Sequence, residues 1–447
     1  MTGGLDLGQD QRACGGPFDP FGALYLHVPF CVQRCLYCDF ETRACPSDDV
    51  AVERYVDEMV RAIRRASKAD ALGQIRTVYL GGGTPTHLGN RNLATILYTL
   101  SLSMHLTPEV ECTVECNPES LTEAMVKDLY ALGATRLSIG VQTFDDALLS
   151  ALGRIHDAEA ARAAIRTAQA RFDNVSVDLM CGLPGQTLEG FEADLHQAVA
   201  LGVKHVSVYP LTVEERTPLA QLVKEGVASG PDDDLQACMM ERAAAVLERA
   251  GMRRYEVANY AYPGYESRHN QAYWSGVSYL GLGPGAVTMV QSQSLRARLR
   301  CAPDDCATDP RMPDGHVLDD RMPGLGTHAS MGLLLDAPPA ALPNRVVEVL
   351  DLRQRAAEDL MLGMRRSAGV TDAQVDKAQA LLPGVADVFE QLQKKGLVCH
   401  GQGRFVPTDA GWLRGNALYG ALYDLAPGSL APEQARACFP GLAMGEE

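Results

Sequence analysis

Long apolar runs and an excess of basic residues are both missing from this 447-residue sequence. No stretch approaches the roughly 20 apolar residues that span a bilayer, so no transmembrane helix is expected. Lys and Arg number 40 against 56 Asp and Glu, which gives a formal net charge of −16. Nucleic-acid-binding proteins neutralise phosphates with surplus Lys and Arg. The sequence therefore argues against a nucleic-acid partner.

A secretory signal and a disulfide framework are also missing. The first residues show no basic segment followed by an apolar one, which is the pattern of a signal peptide. The 13 cysteines are not spaced as in small disulfide-bonded secreted proteins. These absences predict a protein of the reducing cytoplasm.

Three of the cysteines stand close together with the spacing C-x3-C-x2-C: Cys31, Cys35 and Cys38. Three thiolates can hold three irons of a four-iron, four-sulfur cluster and leave the fourth iron open to a small molecule. Zinc is the alternative, but zinc sites usually have four ligands in two separated pairs, and no second C-x-x-C pair follows. An apolar segment ending at Pro29 precedes the cysteines. We therefore expect them on a loop at the carboxyl end of a strand, where α/β folds place their chemistry.

The second motif is rich in glycine: Gly81-Gly-Gly-Thr-Pro85 follows an apolar run that predicts a strand. Consecutive glycines let the backbone approach a ligand closely. The motif matches neither the P-loop nor the Rossmann spacing. Alone it can be only a tight connection, but downstream of the cysteine loop it indicates a shared site.

Strands and helices alternate from Leu24 to about Pro210, with a helical period near 3.6. This repeated alternation predicts a parallel sheet. Polar residues occur at or near the carboxyl ends of successive predicted strands, where side chains can converge on one pocket: Glu115, Gln142, Arg154 and Asp178.

The composition divides the chain into five parts. We predict a flexible leader at 1–21, a core at 22–230, a core extension at 231–291, an irregular insertion at 292–343 and a C-terminal domain at 344–447. The insertion is rich in Pro, Asp and Arg and has little periodicity. Helices followed by two short strands predict a winged-helix-like C-terminal domain, and its lack of a basic patch argues against DNA binding.

Together these motifs resemble the radical S-adenosylmethionine (SAM) superfamily. Further segments match the branch that contains the oxygen-independent coproporphyrinogen III dehydrogenase and the heme chaperones: Tyr25-x-His27-x-Pro29, Glu115-Cys-Asn117-Pro118, Ser138-Ile-Gly140-Val-Gln142, Asp178-Leu-Met-Cys-Gly182 and His269-Asn270-x-x-Tyr273-Trp274. The resemblance implies an α/β fold, an incomplete (β/α)6 barrel followed by a helical, winged-helix-like C-terminal domain.

The resemblance also implies two cofactors, a [4Fe-4S] cluster and SAM. Cys31, Cys35 and Cys38 then hold the cluster, and SAM chelates its open iron. Tyr37 packs on the adenine, and the glycine-rich loop meets the methionyl amino group through Gly82, Gly83 and Thr84. The remaining SAM contacts implied are Tyr25, Glu115, Gln142, Asp178 and Arg154, the last directed toward the SAM carboxylate. No catalytic residue is assigned.

Two features distinguish members within the branch. Phe40 takes the place of a further cysteine in the dehydrogenase pattern, and the His269 motif resembles one of the heme chaperones. Heme is thus implied as a third ligand, with candidate contacts at His269, Asn270, Tyr273 and Trp274. Neutral imidazole can bind iron, and aromatic faces can pack on a porphyrin. A segment anchored by buried aromatic side chains would show the same residues.

Two functions stay open at this stage. One is a heme chaperone that passes heme to an acceptor protein, and the other is a radical SAM enzyme such as a coproporphyrinogen dehydrogenase. The expected partners are heme or a porphyrin, a heme-acceptor protein and an electron donor of the flavodoxin or ferredoxin kind. Contact with a membrane is expected only through the acceptor.

Overall fold

The computed structural model describes residues 21–68, 71–104, 106–107, 109–291, 326–330 and 347–429. The predicted leader, apart from residue 21, and most of the predicted insertion lie outside these residues. Phe21 is buried against the core, with 1% of its surface exposed. Among the helices described, none combines the length and apolar character needed to cross a bilayer.

A sheet of parallel strands forms the centre of the fold. Six strands pair in chain order: β1 Ala23–Val28, β4 Thr77–Gly82, β5 Glu111–Cys116, β6 Arg136–Gln142, β7 Val175–Cys181 and β8 His205–Pro210. The short strands β2 Phe30–Cys31 and β3 Arg43–Ala44 pair with each other. The six parallel strands confirm the predicted fold class.

Helices connect and cover these strands. They are α1 Val50–Lys68, α2 Gly89–Met104, α3 Glu123–Ala131, α4 Asp146–Ala151, α5 Ala158–Gln169, α6 Leu188–Ala200, α7 Pro218–Lys224 and α8 Asp233–Arg249, with 3-10 turns at Pro85–Leu88 and Pro118–Ser120. Capping side chains set several of the starts. Thr187 accepts a hydrogen bond from the backbone N–H of Gly190, and Thr122 accepts one from Met125. The Thr122 cap sets the start of α3 at Glu123.

The sheet continues beyond the six strands on both sides. On one side, β10 Asn259–Ala261 pairs antiparallel with β8, and β9 Arg253–Arg254 pairs with β10 at the edge. After the helix α9 Arg268–Trp274, β11 Tyr279–Leu282 adds parallel to β1. Antiparallel strands β12 Val287–Gln291, β13 Gly326–Ser330 and β14 Val347–Leu350 then extend that edge. β13 corrects the prediction that all of 292–343 is irregular, because pairing between strands distant in sequence, and not local periodicity, makes it a strand.

The two faces of the parallel strands differ, because successive side chains point to opposite sides. One face packs under the helices through apolar residues that include Leu24, Leu26, Val78, Leu80, Val114, Ile139 and Val177. The other face carries polar and aromatic residues, and hydrogen bonds join neighbouring strands across it: Tyr79 to Glu115, Ser138 to Asp178, and Ser176 to His205. This polar face is the lumen of an open barrel.

The C-terminal portion has a hydrophobic core of its own. It comprises α10 Leu352–Gly363, β15 Val370–Thr371, α11 Asp372–Gln379, α12 Val385–Lys394, β16 Val398–Gly401, β17 Arg404–Pro407, α13 Asp409–Leu413 and α14 Gly415–Tyr423. The hairpin β16–β17 and β15 form a three-stranded sheet. Helices followed by a hairpin agree with the winged-helix-like pattern, while the exact domain boundaries stay a prediction.

Candidate cofactor site at the carboxyl edge of the sheet

The cysteine loop is tied down on several sides. The pairing of β2 with β3 fixes its two ends, and the backbone N–H of Cys45 donates to the Cys31 carbonyl at 3.1 Å. In its middle, the N–H of Leu36 donates to the Leu152 carbonyl at 3.1 Å. Cys31, Cys35 and Cys38 are all partly exposed free thiols. The loop therefore presents three unbridged sulfurs from a fixed backbone.

The number of thiols decides which metal group suits them. A structural zinc ion is usually held by four ligands at about 2.3 Å, whereas an iron–sulfur cluster takes each thiolate at a separate iron. Three thiolates on one loop therefore suit a cluster. Burial, followed by the nearby Cys38 and Cys35, raises the pKa of the Cys31 thiol to about 11. A bound metal removes that proton, because coordinating thiols are deprotonated.

The glycine-rich loop lies directly against the cysteine loop. Gly82 has a φ of 110°, and a Cβ there would stand 2.6 Å from the ring of His27. A Cβ on Gly83 would stand 3.0 Å from the Cys31 sulfur. Side chains are therefore excluded at both positions, and the two motifs form one surface, as the sequence predicted.

A chain of hydrogen bonds joins two of the cysteines through the neighbouring strand ends. The Thr84 hydroxyl donates to the Cys31 sulfur at 3.6 Å, and Asn117 Nδ2 donates to the Thr84 hydroxyl at 2.9 Å. Arg154 then donates to Asn117 Oδ1 at 2.8 Å and to the Cys35 sulfur at 3.4 Å. The resemblance directs Arg154 toward a SAM carboxylate, but here its guanidinium binds the cysteine loop. Asn117 links Thr84 to Arg154 in this chain of hydrogen bonds, a role that its sequence motif alone did not predict.

Glu115 is held at both carboxylate oxygens. The hydroxyl of Tyr79 donates to Oε1 at 2.7 Å, and the backbone N–H of Gly82 donates to Oε2 at 3.0 Å. Burial, followed by the negative charge of Asp178, raises the pKa of Glu115 to about 7, against the opposing effect of these two donors. Tyr79 was not singled out from the sequence, because nothing local marks it as a partner of a residue on the next strand.

Asp178 and Gln142 complete the lumen side of this edge. Ser138 donates to Asp178 Oδ1 at 3.3 Å, and burial raises the Asp178 pKa. Gln142 is buried at the end of β6 with a φ of 69°, where the register against β7 shifts. Left-handed backbone is uncommon for residues other than glycine and is concentrated at functional sites. The structure thus brings Glu115, Gln142 and Asp178 to one region, as predicted.

Tyr25 and His27 support the same edge from β1. His27 Nε2 lies 2.8 Å from the Glu41 carbonyl, and Nδ1 lies 3.1 Å from the Tyr25 hydroxyl. A carbonyl can only accept, so Nε2 carries the proton and Nδ1 accepts from Tyr25. His27 therefore ties the far end of the cysteine loop to the barrel. Tyr37, on the loop itself, packs beside the apolar cluster of Leu152, Met180, Leu183, Leu211 and Leu219.

The His269 motif does not join this site. It forms α9, and His269 Nδ1 is 2.9 Å from the hydroxyl of Thr77, at the opposite end of β4 from Gly82. At about 3.3 Å per residue, the two ends of that strand are roughly 16 Å apart. His269 is only 2% exposed, and burial lowers its pKa to about 3. In this structure His269 is therefore closed to a porphyrin.

The other residues of the motif also contact protein. Trp274 Nε1 donates to Glu256 at 2.8 Å, and the Tyr273 ring lies 4.2 Å from that of Tyr279. Asn270 is partly exposed, and its backbone N–H donates to the capping Ser267 hydroxyl at 3.3 Å. These contacts agree with the alternative of a segment anchored by buried aromatic side chains. Heme contacts at this motif stay a prediction.

The raised pKa of Glu115 makes the stability of the fold depend on pH. Its folded pKa of about 7 exceeds the unfolded value, so its contribution to stability is present at low pH and is lost as pH rises through 7. We expect cluster-free Glu115→Gln to unfold at a temperature a few degrees above wild type at pH 8, with most of that gap gone at pH 5. Both proteins keep the other buried carboxyls, so their titration largely cancels in the difference. A gap that is independent of pH would contradict the assignment.

Comparison with known proteins agrees with this geometry. The family model described as "Radical SAM superfamily" matches residues 25–198. The "Heme chaperone HemW" of Bacillus subtilis is 31% identical over 89% of this chain and 98% of its own length. That of Mycobacterium tuberculosis (strain CDC 1551 / Oshkosh) is 41% identical over 60% of this chain and 70% of its own. The solved structure of the Escherichia coli coproporphyrinogen III oxidase HemN has a TM-score of 0.70 at 19% identity and covers 92% of each chain. At that identity HemN shows a shared fold alone.

Proposed function

Because this chain belongs to the radical SAM superfamily and, within it, to the family of the heme chaperone HemW, we propose that it binds heme and delivers it to an acceptor protein. The observation that carries the proposal is the likeness to a protein of that name over nearly its whole length. Phe40 supports it, since this residue, 66% exposed, stands where the dehydrogenase pattern has a further cysteine. The acceptor and a flavodoxin- or ferredoxin-like electron donor are the expected protein partners.

We propose that the carboxyl edge of the sheet holds the cluster and SAM. Cys31, Cys35 and Cys38 would hold the cluster through three thiolates, and the cluster, when bound, would supply an open iron for SAM and one-electron chemistry. His27 and Arg154 fix the loop that carries the cysteines. Arg154 donates directly to the Cys35 sulfur, and a cationic donor favours the anionic thiolate form.

The SAM contacts proposed are those that the geometry collects beside the cysteine loop. Gly82, Gly83 and Thr84 are proposed to meet the methionyl group, since the missing side chains of the two glycines let this backbone pack directly against His27 and Cys31, beside the cluster cysteines. Glu115 and Asp178 offer carboxylates from the lumen to hydroxyl and ammonium groups, and Gln142 offers its amide. Tyr25 lies behind this surface, bonded to His27, and Tyr37 belongs to the loop that would face the adenine. No heme contact is proposed for the His269 motif, because the side chains of His269, Tyr273 and Trp274 contact protein.

An anaerobic assay separates this proposal from an enzyme acting on a tetrapyrrole. Reconstituted protein is incubated with coproporphyrinogen III, SAM and a one-electron reductant, and products are quantified against the amount of chain. We expect no protoporphyrinogen beyond one equivalent. Repeated turnover would contradict the chaperone proposal and favour the dehydrogenase. Variants that lack the cluster, such as Cys35→Ala, serve as the control for cluster-independent oxidation.

A further inference from the structure

The hydroxyl of Tyr79 makes a contact that neither the cysteine loop nor the glycine-rich motif explains. It donates to Glu115 Oε1 at 2.7 Å, while the backbone of Gly82, on the same strand as Tyr79, donates to Oε2 at 3.0 Å. A carboxylate that accepts at both oxygens cannot rotate without losing a hydrogen bond. Its remaining lone pairs are therefore aimed in fixed directions.

The ring of Tyr79 is itself held in place. It lies 6.2 Å from the ring of Tyr25 and 5.1 Å from that of His269. His269 is fixed in turn, because its Nδ1 pairs with the Thr77 hydroxyl and its backbone N–H donates to Glu111 at 2.9 Å. Tyr79 thus stands between the cofactor edge and the helix that closes the opposite end of the barrel.

That helix also contacts the C-terminal portion. The guanidinium of Arg365 lies 5.1 Å from the ring centroid of Trp274 and 4.5 Å from that of Tyr419. Arg366 forms a β-bridge with Glu256, the residue that accepts from Trp274. The motif that suggested a heme contact is therefore packed between the barrel floor and the C-terminal helices.

We propose that Tyr79 is a positioning residue that holds Glu115 in the orientation that receives SAM, and that α9 supports Tyr79 from the opposite end of the barrel. The inference rests on the SAM site of the proposed function, and it gives the His269 motif a role in that site without contact to the ligand. A preorganised carboxylate binds more tightly than a mobile one, because its ordering cost is met on folding.

The charge of Glu115 depends on its pKa, so the pH dependence of SAM binding is a second quantity that tests the proposal. The titratable and charged groups that act on it come from five other strands: Tyr25, Tyr79, Arg136, Asp178 and Tyr209. Of these, the Tyr79 hydroxyl favours the ionised form by donating to it. Loss of that donor raises the Glu115 pKa further. A role that is merely structural would leave this titration in place.

The test is isothermal titration of SAM into anaerobically reconstituted protein between pH 6 and pH 9. We expect Tyr79→Phe to weaken SAM binding at pH 7 by about tenfold, the usual effect of one hydrogen bond to a charged group. We also expect the pH below which affinity falls to move upward. Tyr98→Phe removes the same hydroxyl from a side chain that is 56% exposed and should match wild type in both respects.

The outcomes separate the inference from the proposed function. If wild type binds SAM and Tyr79→Phe shows the same affinity and pH profile, the positioning role is overturned while the SAM site stands. If wild type binds no SAM, the positioning role and the SAM site are both overturned. Heme uptake, measured separately, then still decides the chaperone proposal. An unfolding temperature of Tyr79→Phe within about 2 °C of wild type confirms that weaker binding does not arise from misfolding.

Discussion

Replacement of any one of Cys31, Cys35 or Cys38 by Ala is expected to abolish the iron–sulfur cluster. Wild type reconstituted without oxygen should hold about four irons per chain, as expected for one cubane on three thiolates. Each variant should lose the brown absorbance and retain less than about a tenth of the iron. The loop stays anchored by backbone hydrogen bonds to Pro29, Cys31 and Leu152, so the loss reflects the missing sulfur and not an unfolded segment.

The control for this series is another free cysteine. Cys238 is exposed on α8, and Cys238→Ala should bind iron like wild type. Iron and inorganic sulfide are measured together with the absorbance spectrum. Full iron content in any of the three loop variants would contradict the ligand assignment, and one equivalent of zinc in place of iron would restore the zinc alternative.

Replacement of His269 by Ala is expected to reduce stability and leave heme binding intact. The change removes a buried ring that packs on Tyr79 and Tyr273 and leaves the buried Thr77 hydroxyl without its partner. Removal of a large buried side chain costs about 2–5 kcal/mol. The unfolding temperature should therefore fall by several degrees, while heme bound per folded chain stays at the wild-type level.

Two measurements on the same sample check this result. Thermal unfolding followed by circular dichroism reports the stability, and heme absorbance after gel filtration reports the stoichiometry. The matched control is His196→Ala, because His196 has an exposed side chain on α6 and should change neither quantity. Loss of heme from His269→Ala without loss of stability would contradict the anchoring role and identify His269 as a heme ligand.

The sequence predicted the parts of the site that are contiguous in the chain. The cysteine spacing, the glycine-rich loop and the strand ends at Glu115 and Asp178 are local patterns, and a parallel sheet brings the carboxyl ends of its strands to one edge. The alternation of strands and helices in the core follows from the same local periodicity. The family and the fold class inferred from these motifs are confirmed.

The parts that were missed depend on contacts between distant residues. Thr77 and His269 are 192 positions apart, and nothing near His269 indicates which end of the barrel its helix closes. Arg154 binds the cysteine loop because α4 returns the chain to Leu36, a path that local patterns do not define. β13 forms through pairing with β12 and β14. Each of these depends on tertiary packing, which overrides local preference.

The alternation of polar and apolar residues in the strands indicates that only one face of the sheet is covered by helices. Strands of a fully covered parallel sheet are apolar on both faces, whereas here one face carries Tyr79, Arg136 and Asp178. That alternation is the mark of a barrel with a polar lumen, and it can be seen in the sequence. It was available as a signal for Tyr79 but became specific only when the structure placed its hydroxyl on Glu115.

Heme titration of the anaerobically reconstituted chain tests the central claim most directly. Heme is added in steps while the Soret absorbance is followed, and the complex is then separated from free heme by gel filtration. We expect heme binding to saturate at about one heme per chain, with both the heme and the four irons retained after separation. Uptake that never saturates, or heme that is lost entirely on the column, would contradict it.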